Sequence, residues 1–489
     1  MNAPETPGDA GPSDEAGSAV DGDRTWPRID LWTGVLALVL GTVLAFAIPV
    51  LGGYDEVQHA QRAWQVSDGG VFPRVRFDVT EDGGQIKGSG GDVPQELVDD
   101  MGVILQDGVF NAGHASDAFS HLGDRAPGGP LRFVRFNGAA VYSPVPYLPA
   151  ATTIRVARWM GLSTFTTLLL ARLAQVVAYA ALVMLAVRRI PRRKLVVAAF
   201  AIAPVALVQA ATLNADGITI ALVLLAIAAA FRLADRPPAE IRAPQYVEAG
   251  LVLAALALAK QPYLLVAVFF VLPLWKHRGR VAATLGGLLA GAGVLALLWN
   301  RWAQSNYVPP NNTVFAGDKV RSFAYVDVDP DAQFTFVREH PFSFLAAIGR
   351  TFGHYPGTLT RDLFTQTPEW KAGVLLVVLA AAVLVVALFV DGDGLAGGAL
   401  TRLLAWGLVA VLLLATFLGG YAGWNAVGAK RIDEYQGRYL MPMLAVIAIA
   451  GIPTLRTRLN RVAYTPFVLG ASSVVTLVIA GGVTRHFYL

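Results

Sequence analysis

Directly after the first long apolar run the chain reads Gly53-Tyr54-Asp55-Glu56-Val57-Gln58-His59, and Arg62 follows at helical spacing. Asp55 and Glu56 form an acidic pair fixed at the mouth of a membrane helix. A carboxylate there can act as general base on a hydroxyl while that oxygen attacks a carbon. Further polar groups stand where other apolar runs begin, end or are interrupted. Arg172 lies inside the second run, Asn214 and Asp216 sit between the third and fourth, and Lys260 and Gln261 join the fifth to the sixth, ahead of Pro262 and Tyr263. Arg438 and Tyr439 open the tenth. Arginine binds a phosphate bidentately and lysine as a point charge, and both stabilise it as a leaving group. The set suits transfer of a group from a phospholipid-like donor.

Each residue also has a plainer use. Asp55 with Gln58 can form a helix cap and its capping box. Glu56 can be a first-turn acid that favours the helix dipole, and Asp216 can cap a helix beginning at Gly217. His59 can be a packing histidine. Lys260 and Arg438 can anchor at headgroups, and Arg172 can be a counter-charge for Asp55 or Glu56 as readily as a ligand contact. No Walker loop, dinucleotide glycine fingerprint or HExxH motif occurs. An acidic pair can take a divalent cation, but two adjacent carboxylates are too few to assign a metal, which stays open. With no cysteine, disulfides and thiolate chemistry are excluded.

These groups need a membrane bundle to gather them. Of 489 residues, 55% are hydrophobic and only 15% charged, against about a quarter in soluble domains; mean hydropathy is +0.51. Residues 1–28 read as a disordered tail, with no cleavable signal peptide. Apolar runs predict eleven spans, near 31–51, 164–187, 195–213, 217–231, 246–260, 262–275, 281–300, 372–390, 400–419, 439–454 and 462–483. Basic clusters at 188–194, 232–242, 276–280 and 456–461 go to the cytoplasm by the positive-inside rule. The N-terminus is then cytoplasmic, and loops 52–163 and 301–371 fall outside. The run 145–161 is short, carries Arg155 and Arg158, and reads as interfacial or re-entrant. Alternation at Arg74-Val75-Arg76-Phe77-Asp78-Val79 and glycine-rich turns predict a small extracytoplasmic subdomain with some strand, and 341–352 reads as an amphipathic helix. The fifth and sixth spans have about 15 residues, about 22 Å against a core of about 30 Å, so the tip bearing Lys260 should lie below the outer surface. A charge in the bilayer core costs roughly 2.5–3.5 kcal/mol, so such groups face a polar cavity or one another.

Asp55-Glu56-x-x-His59 is similar to the opening of a bacterial membrane-protein family catalogued as a domain of unknown function, family 2142. Four stretches match it in order: Tyr142-Ser143-Pro144-Val145-Pro146-Tyr147-Leu148-Pro149, Asn214-Ala215-Asp216, Leu258-Ala259-Lys260-Gln261-Pro262-Tyr263 and Gly437-Arg438-Tyr439-Leu440-Met441-Pro442. The match runs from about residue 31 to 450. That family resembles the GT-C superfamily of polytopic glycosyltransferases, which take sugars from polyprenyl phosphates. The resemblance implies an all-α integral membrane fold, a GT-C-like bundle at 29–489, with Asp55 as catalytic base and Glu56 as its partner. His59, Arg62, Tyr147, Arg172, Asn214, Asp216, Lys260, Gln261, Tyr263, Arg438 and Tyr439 are the candidate substrate-binding residues. The implied partners are a polyprenyl-phosphate-linked sugar donor, a cell-envelope glycan, lipid or protein acceptor, and the bilayer of the cytoplasmic membrane, with no nucleic acid. Unlike many GT-C enzymes, this chain lacks a soluble domain after its last span, which would leave acceptor recognition to the loops. A flippase or transporter of lipid-linked or anionic envelope precursors, and a non-catalytic assembly factor, are the alternatives. Against transport stand the gathering of polar groups at one face and the lack of matching broken helices in two halves.

Overall fold

The computed structural model describes residues 28–79, 85–308, 328–433, 435–455 and 459–489. Residues 1–27 of the tail, the turn around Glu81 and Asp82, Pro309-Pro310-Asn311-Asn312 and the pair Arg456 and Arg458 lie outside them.

Helix α1 (Ile29–Ala47) ends as Pro49 and Gly52 enter the chain. Three residues later the path turns through left-handed backbone at Asp55, φ +57°, and α2 (Glu56–Ser67) departs along the end of the bundle. An antiparallel sheet follows, with β1 (Arg74–Val79), β2 (Gln85–Pro94) and β3 (Leu131–Arg135) in the order β1-β2-β3. Arg74 pairs with Gly90, which pairs on its other side with Arg135. Helix α3 (Gln95–Leu105) packs beside the sheet, and α4 (Asn137–Ala140) leads to α5 (Leu148–Trp159). The expected strand content is therefore present. Helix α5 is too short to cross a bilayer core of about 30 Å and exposes Val156, Trp159 and Met160. Its Arg155 holds the Ser67 carbonyl at 2.8 Å, which ties it to the end of α2.

The bundle proper begins at α6 (Thr164–Arg189), capped by Ser163. Next come α7 (Lys194–Ala201) and α8 (Pro204–Ala211), which meet at 51° because Pro204 can supply no amide to continue the ladder. Helix α9 (Asp216–Asp235) is the central post, buried on almost every side. Helix α10 (Ala243–Ala259), a 3-10 run (Gln261–Phe270), α11 (Val271–Lys276) and α12 (Arg280–Ser305) follow. Three surface helices, α13 (Pro330–Glu339), α14 (Pro341–His354) and α15 (Pro356–Thr365), precede α16 (Val374–Val390) and α17 (Gly398–Trp424). A 3-10 turn (Gly437–Leu440), α18 (Met441–Val446) and a π turn (Ile447–Gly451) lead to α19 (Arg461–Tyr488).

All eleven apolar runs are helical. Among the described residues six helices, α1, α6, α9, α12, α17 and α19, are long and apolar enough to cross a membrane, and the bent pair α7–α8 passes the same test when taken together. The others are shorter apolar helices of 10–17 residues. Helices α12 and α17 leave Leu297 and Leu403 each 70% exposed. Apolar surface this continuous belongs against lipid tails, where every backbone group is already paired within its helix. The protein is thus an all-α membrane protein with a small mixed subdomain.

The two ends of the bundle differ. At one end gather the basic connections. Buried Arg193 reaches the carbonyls of Asp393, Ala448, Ile449, Ile452 and Pro453, while Arg189 and Arg232 share Glu248. At the other end lie α2, the sheet, and the junctions α8–α9 and α10–Gln261.

Candidate functional site

The acidic pair faces two ways. Glu56 and Arg172 are both fully buried in a bidentate pair, Nε to Oε1 at 2.6 Å and Nη2 to Oε2 at 2.5 Å. Arg172 spends its other donors on the carbonyls of Ala45, Ile48 and Pro49, left open where α1 stops. All five of its N–H groups are used. Each Glu56 oxygen takes a second bond, from the amide of Gly53 at 2.7 Å or of Leu213 at 2.8 Å. Of the two uses expected of Arg172 the structure takes the counter-charge to Glu56 and not the ligand contact, and the expected catalytic role of Glu56 is corrected. With no oxygen or donor left over, the pair is structural, and it fixes α1, α2, α6 and the α8–α9 junction together. Gly53 is required there, since a Cβ would stand 2.8 Å from both Glu56 Oε2 and Thr212.

Asp55 points the other way. Its side chain caps nothing, and Gln58 turns instead to the Gly138 amide. The Asp55 carboxylate, 51% exposed, meets Arg438 Nη2 at 3.1 Å. Arg438 is only 5% exposed and its Nε stands 3.2 Å from Asp216 Oδ2. On the far oxygen of Asp216, Lys260 Nζ closes to 2.6 Å. The chain Asp55–Arg438–Asp216–Lys260 therefore joins four segments distant in sequence, with one carboxylate at the surface. Aromatic faces frame the cations: Arg438 lies 5.3 Å from the ring centres of both Tyr54 and Tyr439, and Lys260 4.6 Å from that of Tyr439. Arg438 Nη1 is buried without a hydrogen-bond partner. An orphaned guanidinium donor is costly, and an incoming oxyanion is what would satisfy it.

The remaining candidates divide. His59 is buried; its Nδ1 bonds the Tyr147 hydroxyl at 2.6 Å and its ring stacks on Tyr142. Burial pushes its pKa down to about 4 against the attraction of Asp55 and Asp216, so at neutral pH the imidazole is uncharged beside the cluster. Tyr147, 1% exposed, holds that ring rather than facing outward. Arg62, expected to bind substrate, instead folds back onto Gln65 and the carbonyls of Gly70, Val71 and Tyr142. It orders the loop after α2 and lies outside the cluster. Asn214 is likewise structural. Its Oδ1 accepts the amides of Asp216 and Gly217, the capping that Asp216 could have done, and so leaves Asp216 free for Lys260. Tyr263 donates to the Tyr439 carbonyl at 3.1 Å, bracing the aromatic floor, and Gln261 keeps a buried, unpartnered Nε2. Two members were absent from the sequence expectations, Tyr54 and Tyr142. Both stand inside matched or acidic motifs, which is the signal that could have found them. Among the described residues no three His, Asp or Glu side chains group to hold a metal.

Residues 38–447 match a family model described as "Predicted membrane protein (DUF2142)", a stretch containing every member of the cluster. No curated protein and no solved structure matches the chain.

Two outcomes follow from this geometry. Glu56→Gln leaves Arg172 buried without its counter-charge, so thermal unfolding in detergent should show a loss of about 3–5 kcal/mol. Between pH 6.5 and 4 the unfolded chain binds a proton at residue 59 that the folded chain refuses. Stability should fall as pH drops through that window, by up to about 3 kcal/mol, and His59→Gln should flatten the fall.

Proposed function

The chain belongs to the DUF2142 family of membrane proteins, and we propose that it is a glycosyltransferase of the GT-C type, moving a sugar from a polyprenyl-phosphate donor to a cell-envelope acceptor. The observation that carries the reading is the half-exposed Asp55 carboxylate against a buried arginine that keeps an unpartnered donor. One group can take a proton and the other can take a phosphate.

The acceptor oxygen attacks the anomeric carbon, and Asp55 receives the proton that this oxygen loses. The bond from that carbon to the donor phosphate breaks with its electron pair on oxygen, and polyprenyl phosphate leaves. Arg438, with Lys260 behind it, meets the charge that develops there. A buried position in low dielectric makes this attraction stronger than it would be in water. Glu56 and Arg172 hold the Asp55 backbone, and Asp216 keeps both cations in place.

The same reading sets all eleven apolar helices across the bilayer, the four short ones among them, with the site extracytoplasmic in the inner membrane. Its support is that Arg189, Arg193, Arg232, Lys276 and Arg461 occur together at the opposite end, which the positive-inside rule assigns to the cytoplasm. No nucleotide sugar is supplied on the outer side, so a membrane-borne donor fits.

Asp55→Asn, in nanodiscs with a polyprenyl-phosphate sugar, should lower transfer by about 100-fold or more and leave the unfolding free energy within about 1 kcal/mol of wild type. Normal transfer by this variant would remove Asp55 as the base. Arg438→Ala should cost donor binding at least about tenfold, read as loss of the co-purified lipid in native mass spectrometry. Movement of that lipid across the bilayer without covalent transfer would instead identify a flippase.

A further inference from the structure

A cavity of about 170 Å³, walled by Tyr54, Asp362, Thr367, Glu369 and Trp370, shares with the cluster the Tyr54 ring over which Arg438 lies. It is built rather than incidental. Tyr54 is pinned by a bond from its hydroxyl to the Thr367 carbonyl at 3.1 Å. Thr367 in turn donates through Oγ1 to the Trp370 carbonyl at 2.5 Å, closing a turn in which Glu369 takes left-handed backbone at φ +51°. Glu369 and Asp55 are two of only five non-glycine residues with positive φ among the described residues, and both flank this region. Such conformations cost about 1–3 kcal/mol and persist where surroundings impose them.

The cavity is also coupled to the cluster. Asp362 packs on Gly437, the residue before Arg438. A Cβ on Gly437 would stand 2.1 Å from the Leu359 carbonyl and 2.9 Å from Asp362 Cβ, so only glycine permits the approach. The lining holds two acids, Asp362 and Glu369, and two bases, Arg361 and Lys371, so it offers no net charge to an ion. Burial raises the Asp362 carboxyl above its ordinary range. An indole, a phenol ring and balanced carboxylates present alternating apolar and hydrogen-bonding surface. The volume is well below the roughly 300–1,000 Å³ of drug-sized pockets and is on the scale of a single small ring.

We propose that this cavity binds one uncharged sugar ring, placing it beside Asp55 and Arg438. The inference rests on the transferase reading for its purpose but not for its test. Its ring belongs either to the donor or to the end of a glycan acceptor. The direct experiment is saturation-transfer NMR of the full-length protein in nanodiscs with a panel of neutral methyl glycosides, and with methyl glucuronide and inorganic phosphate as charged probes.

At least one neutral glycoside should receive saturation, with affinity about tenfold weaker in Asp362→Asn and in Glu369→Gln. Glu369 is exposed, so that variant keeps the test valid if Asp362→Asn does not fold. Saturation of the charged probes alone, of none, or of neutral glycosides equally in both variants, would overturn the proposal. A protein that binds the glycoside through these acids yet transfers nothing would refute the transferase reading and leave the sugar site standing. Where transfer is measured, a raised donor KM in Glu369→Gln puts the donor sugar here, and a raised acceptor KM puts the acceptor's terminal ring here.

Discussion

The architecture depends on the buried pair between Glu56 and Arg172. When α1 stops, the carbonyls of Ala45, Ile48 and Pro49 lose their helical partners inside an apolar bundle. Unpaired carbonyls there are expensive. A single guanidinium from the middle of the second long helix covers all three and neutralises itself on Glu56. Burying two ions is itself costly, and a bidentate geometry with every other donor and acceptor satisfied is the condition under which attraction can offset that cost. The pair does more than close a helix end. Since Glu56 is held inward, the residue before it must turn outward through left-handed backbone, and that residue is Asp55. A structural interaction thus sets the direction of the one carboxylate in the cluster that reaches solvent.

Much of this organisation is legible in the chain, because hydropathy is a one-dimensional property. Uncharged runs such as Leu31–Leu51 give the helices directly, and Pro204 accounts for the bend between α7 and α8. The gathering of Asp55, Asp216, Lys260 and Arg438 is legible too, since each stands at the same end of an alternating walk through the bundle. What adjacency cannot reveal is which way neighbouring side chains point. Asp55 and Glu56 are chemically alike and one residue apart, yet one is exposed and the other sealed. Arg62 lies at helical spacing from His59, but its long side chain turns back to carbonyls of a loop whose path no local pattern gives. Asn214 and Asp216 could each have capped α9, and only the position of Lys260 decides between them. The cavity was unreadable for the same reason, since Tyr54 and Trp370 are more than three hundred residues apart.

The polar groups gather where the apolar helices end, and this follows from the solvent rather than from the chemistry. In the hydrocarbon region a charge must find a partner within the protein. The cheapest places for unpaired polar groups are the junctions, where helices stop and the backbone itself needs donors and acceptors. The basic end answers that need chiefly with Arg193, spread over five carbonyls and left with nothing to offer a ligand, while Arg192, Lys276 and His277 each meet one more. The other end divides the task, with Arg172 taking the carbonyls and Arg438 relieved of them. That division is why Arg438, nearly as buried, still has a donor to offer.

The charge count of the cluster adds a consequence for the proposed reaction. Asp55, Arg438, Asp216 and Lys260 sum to zero, so the cluster is balanced, with Asp55 supplying part of the negative charge that holds Arg438. A donor phosphate at Arg438 would bring its own negative charge and compete with Asp55 for the same guanidinium. Asp55 is the partner that yields, because it is exposed and hydrated while Asp216 is only 15% exposed and also held by Lys260. Released from Arg438, the carboxylate is free to face the acceptor hydroxyl. Donor binding would in this way free the carboxylate at the moment an acceptor hydroxyl needs it, while the neutral His59 behind the cluster adds no positive charge to recapture it.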